Sequence, residues 1–205
     1  MTLSKQQVTG GMTAELQAFE DLIRALSDAE WDAPSRCEGW TAGDVARHVV
    51  GNLADALGGR LDGIGTAERT QRQVDERAGR SPNAVADELA GIRELAVQIL
   101  SGFDDAAWAG PAPGEYDGTL GDGVRALWYD TWLHADDIRA AVARPSLRGP
   151  GLDAAVAHLL WELGNQGWNG SGPTTEEGRF QFVLAATGRS DGSALGANAP
   201  PNIYG

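Results

Sequence analysis

The sequence predicts a mainly α-helical protein, in which a four-helix bundle is followed by a short C-terminal extension. Four stretches carry apolar residues at the 3.6-residue spacing of an amphipathic helix, and longish connections separate them. Hydrophobic residues make up 42% of the 205 residues, which is normal for a globular chain and too high for a disordered one. A chain of this length forms one domain, or one domain with an appendage, without disulfides.

The first two helices of the bundle are predicted on either side of a turn-rich segment. The first spans about 13–26, where one face carries the apolar residues Leu16, Phe19, Ile23 and Leu26. The second begins after Thr41, which is an N-cap candidate with Asp44 three residues later in the position of a capping box. It ends at the glycine pair 58–59.

The third helix follows residues 60–80, which are charged and only weakly periodic. We predict that these residues form a mobile connection with at most a helical turn. Ser81 and Pro82 then suit the N-cap and the first helical position. The predicted buried stripe of this helix consists of Val85, Leu89, Ile92, Leu95, Ala96 and Ile99.

The fourth helix follows a long loop over 109–123, and loops of this length are often functional. Its apolar stripe is Val124, Leu127, Trp128, Thr131, Trp132, His134, Ala135, Ile138 and Ala141, and it ends near Arg144 and Pro145. Residues 10–145 are therefore predicted to form the bundle. Residues 146–205 are predicted to form a small α/β extension, with a helix over 153–165 and a strand over 179–187.

Charge and cysteine content exclude several classes of protein. The chain has 16 Lys+Arg against 29 Asp+Glu, a net charge of −13, and such a field repels nucleic acid and anionic membranes. The N-terminus lacks the apolar core of a signal peptide, and no apolar run approaches ~20 residues. The single cysteine, Cys37, fits a reducing compartment, so a cytoplasmic protein is expected. No exposed apolar stripe indicates a particular oligomeric state.

Two histidines and one aspartate form a candidate metal site. Asp130 precedes His134 by four residues, which places both side chains on one face of the fourth helix. His48 lies on the inward stripe of the second helix. Two imidazoles and a carboxylate can hold a divalent metal with open coordination positions. The alternatives are a hydrogen-bonded core histidine and a solvated aspartate. His158 is predicted to be a surface or edge histidine.

Other residues near these positions have two interpretations each. Cys37 is either a small residue that packs the turn or a reactive thiol, and Trp40 either fixes that turn or walls the pocket. Asn52 lies one turn after His48 and could contact substrate. Asp137 and Arg139 are either an exposed charge pair, which we favour, or polar groups of the pocket; Asn52 and Arg139 are the candidates for cofactor binding.

Three segments resemble those of a known enzyme family. Residues 31–48, WDAPSRCEGWTAGDVARH, resemble the Trp…Cys-x-Gly-Trp-x-x-x-Asp-Val-x-x-His signature of the mycothiol-dependent maleylpyruvate isomerase family, which belongs to the DinB-like metalloenzyme superfamily. Residues 127–139, LWYDTWLHADDIR, resemble the second metal motif of that family. The segment VLAATGRSDGSALG resembles the tail of many family members.

The resemblance implies a DinB-like antiparallel four-helix bundle with a divalent metal, usually zinc, at one end. The ligands and catalytic residues that it implies are His48, Asp130 and His134. The family has glutamate at the position of Asp130, and it has a larger C-terminal domain. Nickel and ferrous iron also suit such a donor set.

The implied activity is that of a mycothiol-dependent isomerase or S-transferase, in which a metal-bound thiolate attacks a small-molecule electrophile. Mycothiol would be the co-substrate. One alternative is a metal-dependent hydrolase. The other is a non-catalytic binding protein that holds a hydrophobic ligand between Trp128, Trp132 and Trp161.

Overall fold

The helices of the protein were located in a computed structural model, which describes residues 3–114 and 116–204. In chain order they are α1 (Lys5–Arg24), α2 (Asp28–Trp31), α3 (Ala42–Leu57), α4 (Ala67–Asp75), α5 (Pro82–Gly102), α6 (Asp105–Ala109), α7 (Leu120–Ala141), α8 (Pro150–Asn165) and α9 (Glu176–Ala186), followed by a 3-10 helix (Ser193–Asn198). Residue 115 of the predicted loop and residue 205 of the predicted extension lie outside the described residues.

The helices α1, α3, α5 and α7 form the bundle, and the predicted mainly α fold is confirmed. Their contacts run in a ring, in which α1 and α3 each pack against both α5 and α7. A core of buried apolar side chains fills the centre, with Leu16, Phe19, Val49, Leu89 and Trp128 among its members. Since α3 and α7 are neighbours in this ring, side chains on their facing surfaces can meet.

Side-chain caps set where the bundle helices begin. The predicted capping box of Thr41 and Asp44 opens α3, and Ser81 with Pro82 opens α5 as predicted. The first helix begins at Lys5, two turns earlier than predicted, because Ser4 and Gln7 form a further capping box. The added turns also bury Val8 and Met12.

Glycines inside the helices make room for tryptophan rings. A methyl group added at Gly11 would overlap the Trp128 ring, and one added at Gly151 would overlap Trp132. Further pairs of this kind are Gly43 with Trp31 and Gly121 with Trp108. The glycine and tryptophan content of the chain is therefore partly explained by close packing between helices.

The connection over 60–80 is more ordered than its sequence predicts. It contains α4, which packs against α3 and buries Gln73, and the buried Arg77 follows this helix. The anchor is the carboxylate of Asp55, which accepts hydrogen bonds from Arg60 at 2.8 Å and from Arg69 at 2.8 Å. Polar rather than apolar side chains fix this segment, which is why it lacks hydrophobic periodicity.

The predicted strand over 179–187 is wrong, because these residues lie mostly in α9 and its C-cap, Thr187. The alternation at Phe180 and Phe182 marks two buried positions of a helix that is packed on more than one side. The extension as a whole docks on the bundle, where α8 contacts α7 and α1, and α9 contacts α8. Within the described residues, no helix has the length and apolar character needed to cross a membrane.

Candidate metal centre

Three side chains from α3 and α7 meet on the facing surfaces of these helices. One ligand atom each from His48, Asp130 and His134 lies within 4.8 Å of the others. His134 Nε2 is 3.5 Å from Asp130 Oδ1, and the two imidazole rings meet edge to face with their centres 5.1 Å apart. The residues that the spacing and the resemblance singled out are therefore adjacent. Two imidazole nitrogens and a carboxylate oxygen are suitable ligands for a divalent transition metal.

The orientation of His48 is fixed by a hydrogen bond at Nδ1, the ring nitrogen that does not face the donor set. Gln73 Oε1 lies 2.9 Å from His48 Nδ1, and Gln73 Nε2 donates to Asp55 Oδ2 at 2.8 Å. Because an ionised carboxylate only accepts, Asp55 sets which way the amide points. Gln73 Oε1 must then accept a hydrogen bond from the protonated Nδ1 of His48. The Nε2 atom keeps its lone pair, and that lone pair is free to bind a cation.

His134 is oriented in the same way by a carboxylate. Its Nδ1 lies 2.9 Å from Asp137 Oδ2, so Nδ1 carries the proton and Nε2 faces Asp130. Asp137 is itself held by Arg189, which donates to both of its oxygens at 2.7 and 2.6 Å. Arg36 donates to the same carboxylate at 3.1 Å. Histidine ligands of metals are commonly supported by such carboxylates.

The two histidines differ in their affinity for protons. Burial lowers the pKa of His48 to about 4, so this ring is neutral at pH 7. Burial acts in the same direction on His134, but the carboxylates of Asp130 and Asp137 outweigh it and raise the pKa to about 10. Burial also opposes ionisation of Asp137, yet its bonds to Arg189 and His134 hold its pKa well below the usual range. The centre thus attracts positive charge.

The remaining predicted residues occupy different places. Asn52 donates to Asp130 Oδ2 at 3.0 Å, so it adjoins the candidate ligands, as expected from its position on α3. Arg139 is instead buried beside Glu15 and Asp136. The favoured interpretation of Asp137 and Arg139 as an exposed charge pair is wrong, because they are 0% and 6% exposed. The reason is that α7 is surrounded by α1, α3 and α8, so little of its surface faces solvent.

Cys37 lies beside the candidate metal centre but does not belong to the donor set of His48, Asp130 and His134. Its Sγ is 3.5 Å from Asp137 Oδ2 and 4.0 Å from His134 Nδ1, and these three residues form a second group close enough to hold a cation. Asp137 in that group is already bound by two guanidinium groups, so the first group is the better site. Trp40 lies against His48, with ring centres 5.4 Å apart.

The expectation for His158 is wrong, and the tryptophans of the alternative binding-protein hypothesis lie apart. His158 was expected at the surface, but it is 6% exposed because α8 is packed between α7 and α9. Trp128 and Trp132 are buried in two separate apolar cores, while Trp161 stacks on Tyr116. These three tryptophans therefore do not line one common ligand pocket.

The residues that orient the histidines were not found from the sequence. Gln73 and Asp55 lie in and before the weakly periodic segment 60–80, and Arg189 lies near the C-terminus. Asp137 did carry a usable signal, since it follows His134 by three residues and so shares its helix face.

Comparison with known proteins identifies a matching family model. A family model described as the mycothiol maleylpyruvate isomerase N-terminal domain matches residues 12–139, which is more than half of the 205 residues. No curated protein matches the sequence.

Two solved structures share the fold. One is a mycothiol-dependent maleylpyruvate isomerase, with 16% identity and a TM-score of 0.70, and the other is a variant of such an enzyme with one histidine replaced by alanine, with 17% identity and a TM-score of 0.69. Each alignment covers 98% of this chain and 100% of the other, so the likeness extends over the C-terminal part as well. The family predicted from the motifs is confirmed, and with it the prediction that the chain belongs to a family of enzymes. The chain belongs to the mycothiol maleylpyruvate isomerase family.

Proposed function

We propose that the protein is a metal-dependent enzyme that uses mycothiol as its thiol, acting as an isomerase or an S-transferase on a small electrophile. His48, Asp130 and His134 would hold the metal and would thereby be the catalytic residues. The observation that carries this proposal is the convergence of these three donors within 4.8 Å, with both histidines oriented through Nδ1 by partners outside the donor set.

The donor set fits a divalent metal, and zinc is the ion we propose. Two imidazole nitrogens and one carboxylate are an established ligand combination for catalytic zinc, which keeps a further position open. When bound, a cation of this kind lowers the pKa of a coordinating thiol, so that the thiol reacts as a thiolate at neutral pH.

The residues around the three proposed ligands hold those ligands in place. Asn52 binds one oxygen of Asp130, which leaves Oδ1 directed toward His134. Asp137 and Gln73 hold the two rings in place, and Trp40 shields one side of His48. Asp130 is 24% exposed, so substrates can reach the donor set from this side.

The two reaction types differ in what happens to the thiol. In a cis–trans isomerisation the sulfur adds to an activated double bond, the carbon–carbon bond rotates, and the sulfur leaves again, so the thiol is regenerated. In a transfer reaction a carbon–sulfur bond forms and a leaving group departs, so one thiol is consumed for each product.

The direct test combines zinc-loaded protein with mycothiol and maleylpyruvate, the substrate named for the two solved relatives. We expect turnover that requires mycothiol and falls at least 100-fold in His48→Ala, which removes a proposed ligand. An unchanged thiol concentration during turnover would identify an isomerase, whereas loss of thiol with a matching thioether would identify a transferase. Absence of thiol-dependent turnover in folded, zinc-loaded protein, with this and other activated electrophiles, would refute the proposal.

A further inference from the structure

A second polar cluster lies between α7 and α8, next to the candidate metal centre. Arg125 of α7 and His158 of α8 both pack on the Trp161 ring. The guanidinium carbon of Arg125 lies 5.7 Å from the centre of that ring, and the imidazole of His158 lies 6.0 Å from it. Neither residue takes part in the chemistry described above.

Arg125 has an unused pair of hydrogen-bond donors. Its Nη1 pairs with Asp122 Oδ1 at 2.9 Å, while the other oxygen of Asp122 is committed to the cap at Thr119. Its Nε and Nη2 are buried and have no hydrogen-bond partner among the described residues. Buried charged donors without a partner are rare in folded proteins, because leaving them unpaired costs free energy.

The same pair of donors binds carboxylates elsewhere in this protein. Arg189 donates hydrogen bonds to Asp137 from Nε at 2.7 Å and from Nη2 at 2.6 Å. Arg77 donates hydrogen bonds to Glu88 from Nε at 3.1 Å and from Nη2 at 2.6 Å. This side-on fork matches the two oxygens of a carboxylate in spacing and direction. In Arg125 the same two donors, Nε and Nη2, which we call the Arg125 fork, bind no carboxylate of the described residues.

His158 adds a third polar atom to the cluster. It is 6% exposed, and its Nδ1 also lacks a hydrogen-bond partner within the described part of the chain. Its ring stacks on Tyr129, with centres 4.5 Å apart. The charged side chains that act on its protonation are those of Arg125, Asp130 and Asp122. The imidazole therefore lies near both Arg125 and the candidate ligand Asp130.

The cluster of Arg125 and His158 lies close to Asp130 of the candidate metal centre. Arg125 precedes Asp130 by five residues, which is about 7.5 Å along a helix axis. Tyr129, on which His158 stacks, is the neighbour of Asp130 in the chain. Because residues five apart are turned by about 140° around a helix, it is His158 of α8 that brings the cluster close to Asp130.

We propose that the Arg125 fork and His158 form a carboxylate-binding subsite, which selects electrophiles that carry a carboxylate a few bonds from the reacting atom. This inference rests on the proposed function for the identity of the ligand as a substrate. The subsite itself is a property of the chain without metal or thiol. The carboxylate would accept hydrogen bonds from Nε and Nη2 of Arg125 and from the imidazole of His158.

The subsite is covered by an aromatic pair. Trp161 lies over Arg125, and Tyr116 stacks on Trp161 with ring centres 5.7 Å apart. Since both fork atoms are buried and the guanidinium lies over the Trp161 ring, we expect a ligand that reaches them to move this ring. Binding is therefore expected to change the fluorescence of Trp161, and Trp161→Phe removes this signal.

The test uses metal-free protein and succinate, an unreactive dicarboxylate, with the uncharged diamide of succinate as the matched control ligand. Affinity is measured by calorimetry and by tryptophan fluorescence. We expect succinate to bind and the diamide not to bind. Arg125→Gln should weaken succinate binding at least tenfold, because charge-assisted hydrogen bonds of this kind contribute strongly. Arg93→Gln is the control variant, since Arg93 also has a buried Nε without a partner but lies on α5.

A second variant covers the case in which Arg125→Gln does not fold. His158→Phe retains an aromatic ring against Tyr129 and removes both ring nitrogens, and it should also weaken succinate binding. Equal succinate affinity in wild type and in whichever of these variants folds would overturn the proposal, as would failure of folded wild type to bind succinate. Succinate binding that is lost in His134→Ala but kept in Arg125→Gln would place the anion at the metal centre instead and would equally overturn it. Succinate binding without any thiol-dependent turnover would contradict the proposed function and leave the subsite established.

Discussion

At the scale of single residues, the hydrogen bond between Gln73 and His48 controls which ring nitrogen can bind a cation. The bond of Gln73 Nε2 to Asp55 fixes the amide, and the amide fixes the proton on Nδ1 of His48. Replacing Gln73 with leucine should therefore weaken zinc binding about 10- to 100-fold, the usual effect of losing a partner that orients a ligand. Competition with a chromophoric chelator measures this affinity.

Gln71→Leu provides a control on the same helix. Gln71 is exposed and accepts a hydrogen bond from Trp40 Nε1 at 3.2 Å, with no bond to the imidazole. We expect its zinc affinity to stay within about twofold of wild type. If both variants bound zinc as tightly as wild type, the assignment of Gln73 as a positioning residue would be wrong.

At the scale of helices, we predict that alanine substitutions at two neighbouring glycines of α1 have opposite effects on stability. Gly11 lies against the Trp128 ring, whereas nothing lies within 4 Å of a methyl group added at Gly10. Gly11→Ala should lower the free energy of unfolding by about 1–3 kcal/mol through overpacking. Gly10→Ala should raise it by about 0.5–1 kcal/mol, because alanine favours the helix. Urea unfolding of both variants measures the difference; a stabilised Gly11→Ala would contradict the packing described here.

The junction of α3 and α4 depends on the carboxylate of Asp55. Burial opposes its ionisation, but bonds to Gln73, Arg60 and Arg69 outweigh burial and lower its pKa from the ordinary value of 3.8. A carboxyl group whose pKa is lowered on folding stabilises the protein above its unfolded pKa, and this stabilisation is lost as the pH falls through the folded pKa.

Asp55→Asn should therefore lower the free energy of unfolding by about 2–4 kcal/mol at pH 7, since it leaves buried donors without their charged partner. The difference from wild type should shrink as the pH falls below about 4. Asp105→Asn is the control, because that carboxylate is 97% exposed and its pair with Lys5 contributes little. A difference from wild type that stays constant between pH 7 and pH 3 would contradict this role of Asp55.

The same elements show what the sequence could and could not predict. The bundle helices were predictable because each carries an apolar stripe and a capping residue such as Thr41 or Ser81. The helix α4 was not, since its buried residues are Gln73 and a single apolar residue, Val74, which do not form a hydrophobic pattern. The segment at Phe180 was misassigned because α9 buries positions two residues apart.

At the scale of the whole molecule, the C-terminal extension shares its core with the bundle. Trp132 and Leu133 of α7 pack in one apolar cluster with Leu152, Leu159 and Phe182. Arg189 of the extension also holds Asp137 behind His134. We propose that residues 146–205 are not an independently folding unit. Urea unfolding should show one transition by circular dichroism and tryptophan fluorescence, whereas two separated transitions would contradict the shared core.

The donor set was predictable from local spacing together with the family resemblance, whereas its supporting shell was not. Asp130 and His134 share a face of one helix, and His48 belongs to the inward stripe of another. The bonds of Gln73, Arg36 and Arg189 depend on how distant segments pack, and no spacing within one helix encodes them. The burial of His158 likewise follows from the docking of α8 between α7 and α9.

Metal quantification tests the central claim most directly, because the chain has three histidines and only two belong to the proposed site. Wild type and the variants His48→Ala, His134→Ala and His158→Phe are purified in parallel, equilibrated with zinc, desalted and measured by elemental analysis. We predict about one equivalent in wild type and in His158→Phe, and a loss of most of the metal in the other two variants. Full zinc content in both His48→Ala and His134→Ala would contradict the account.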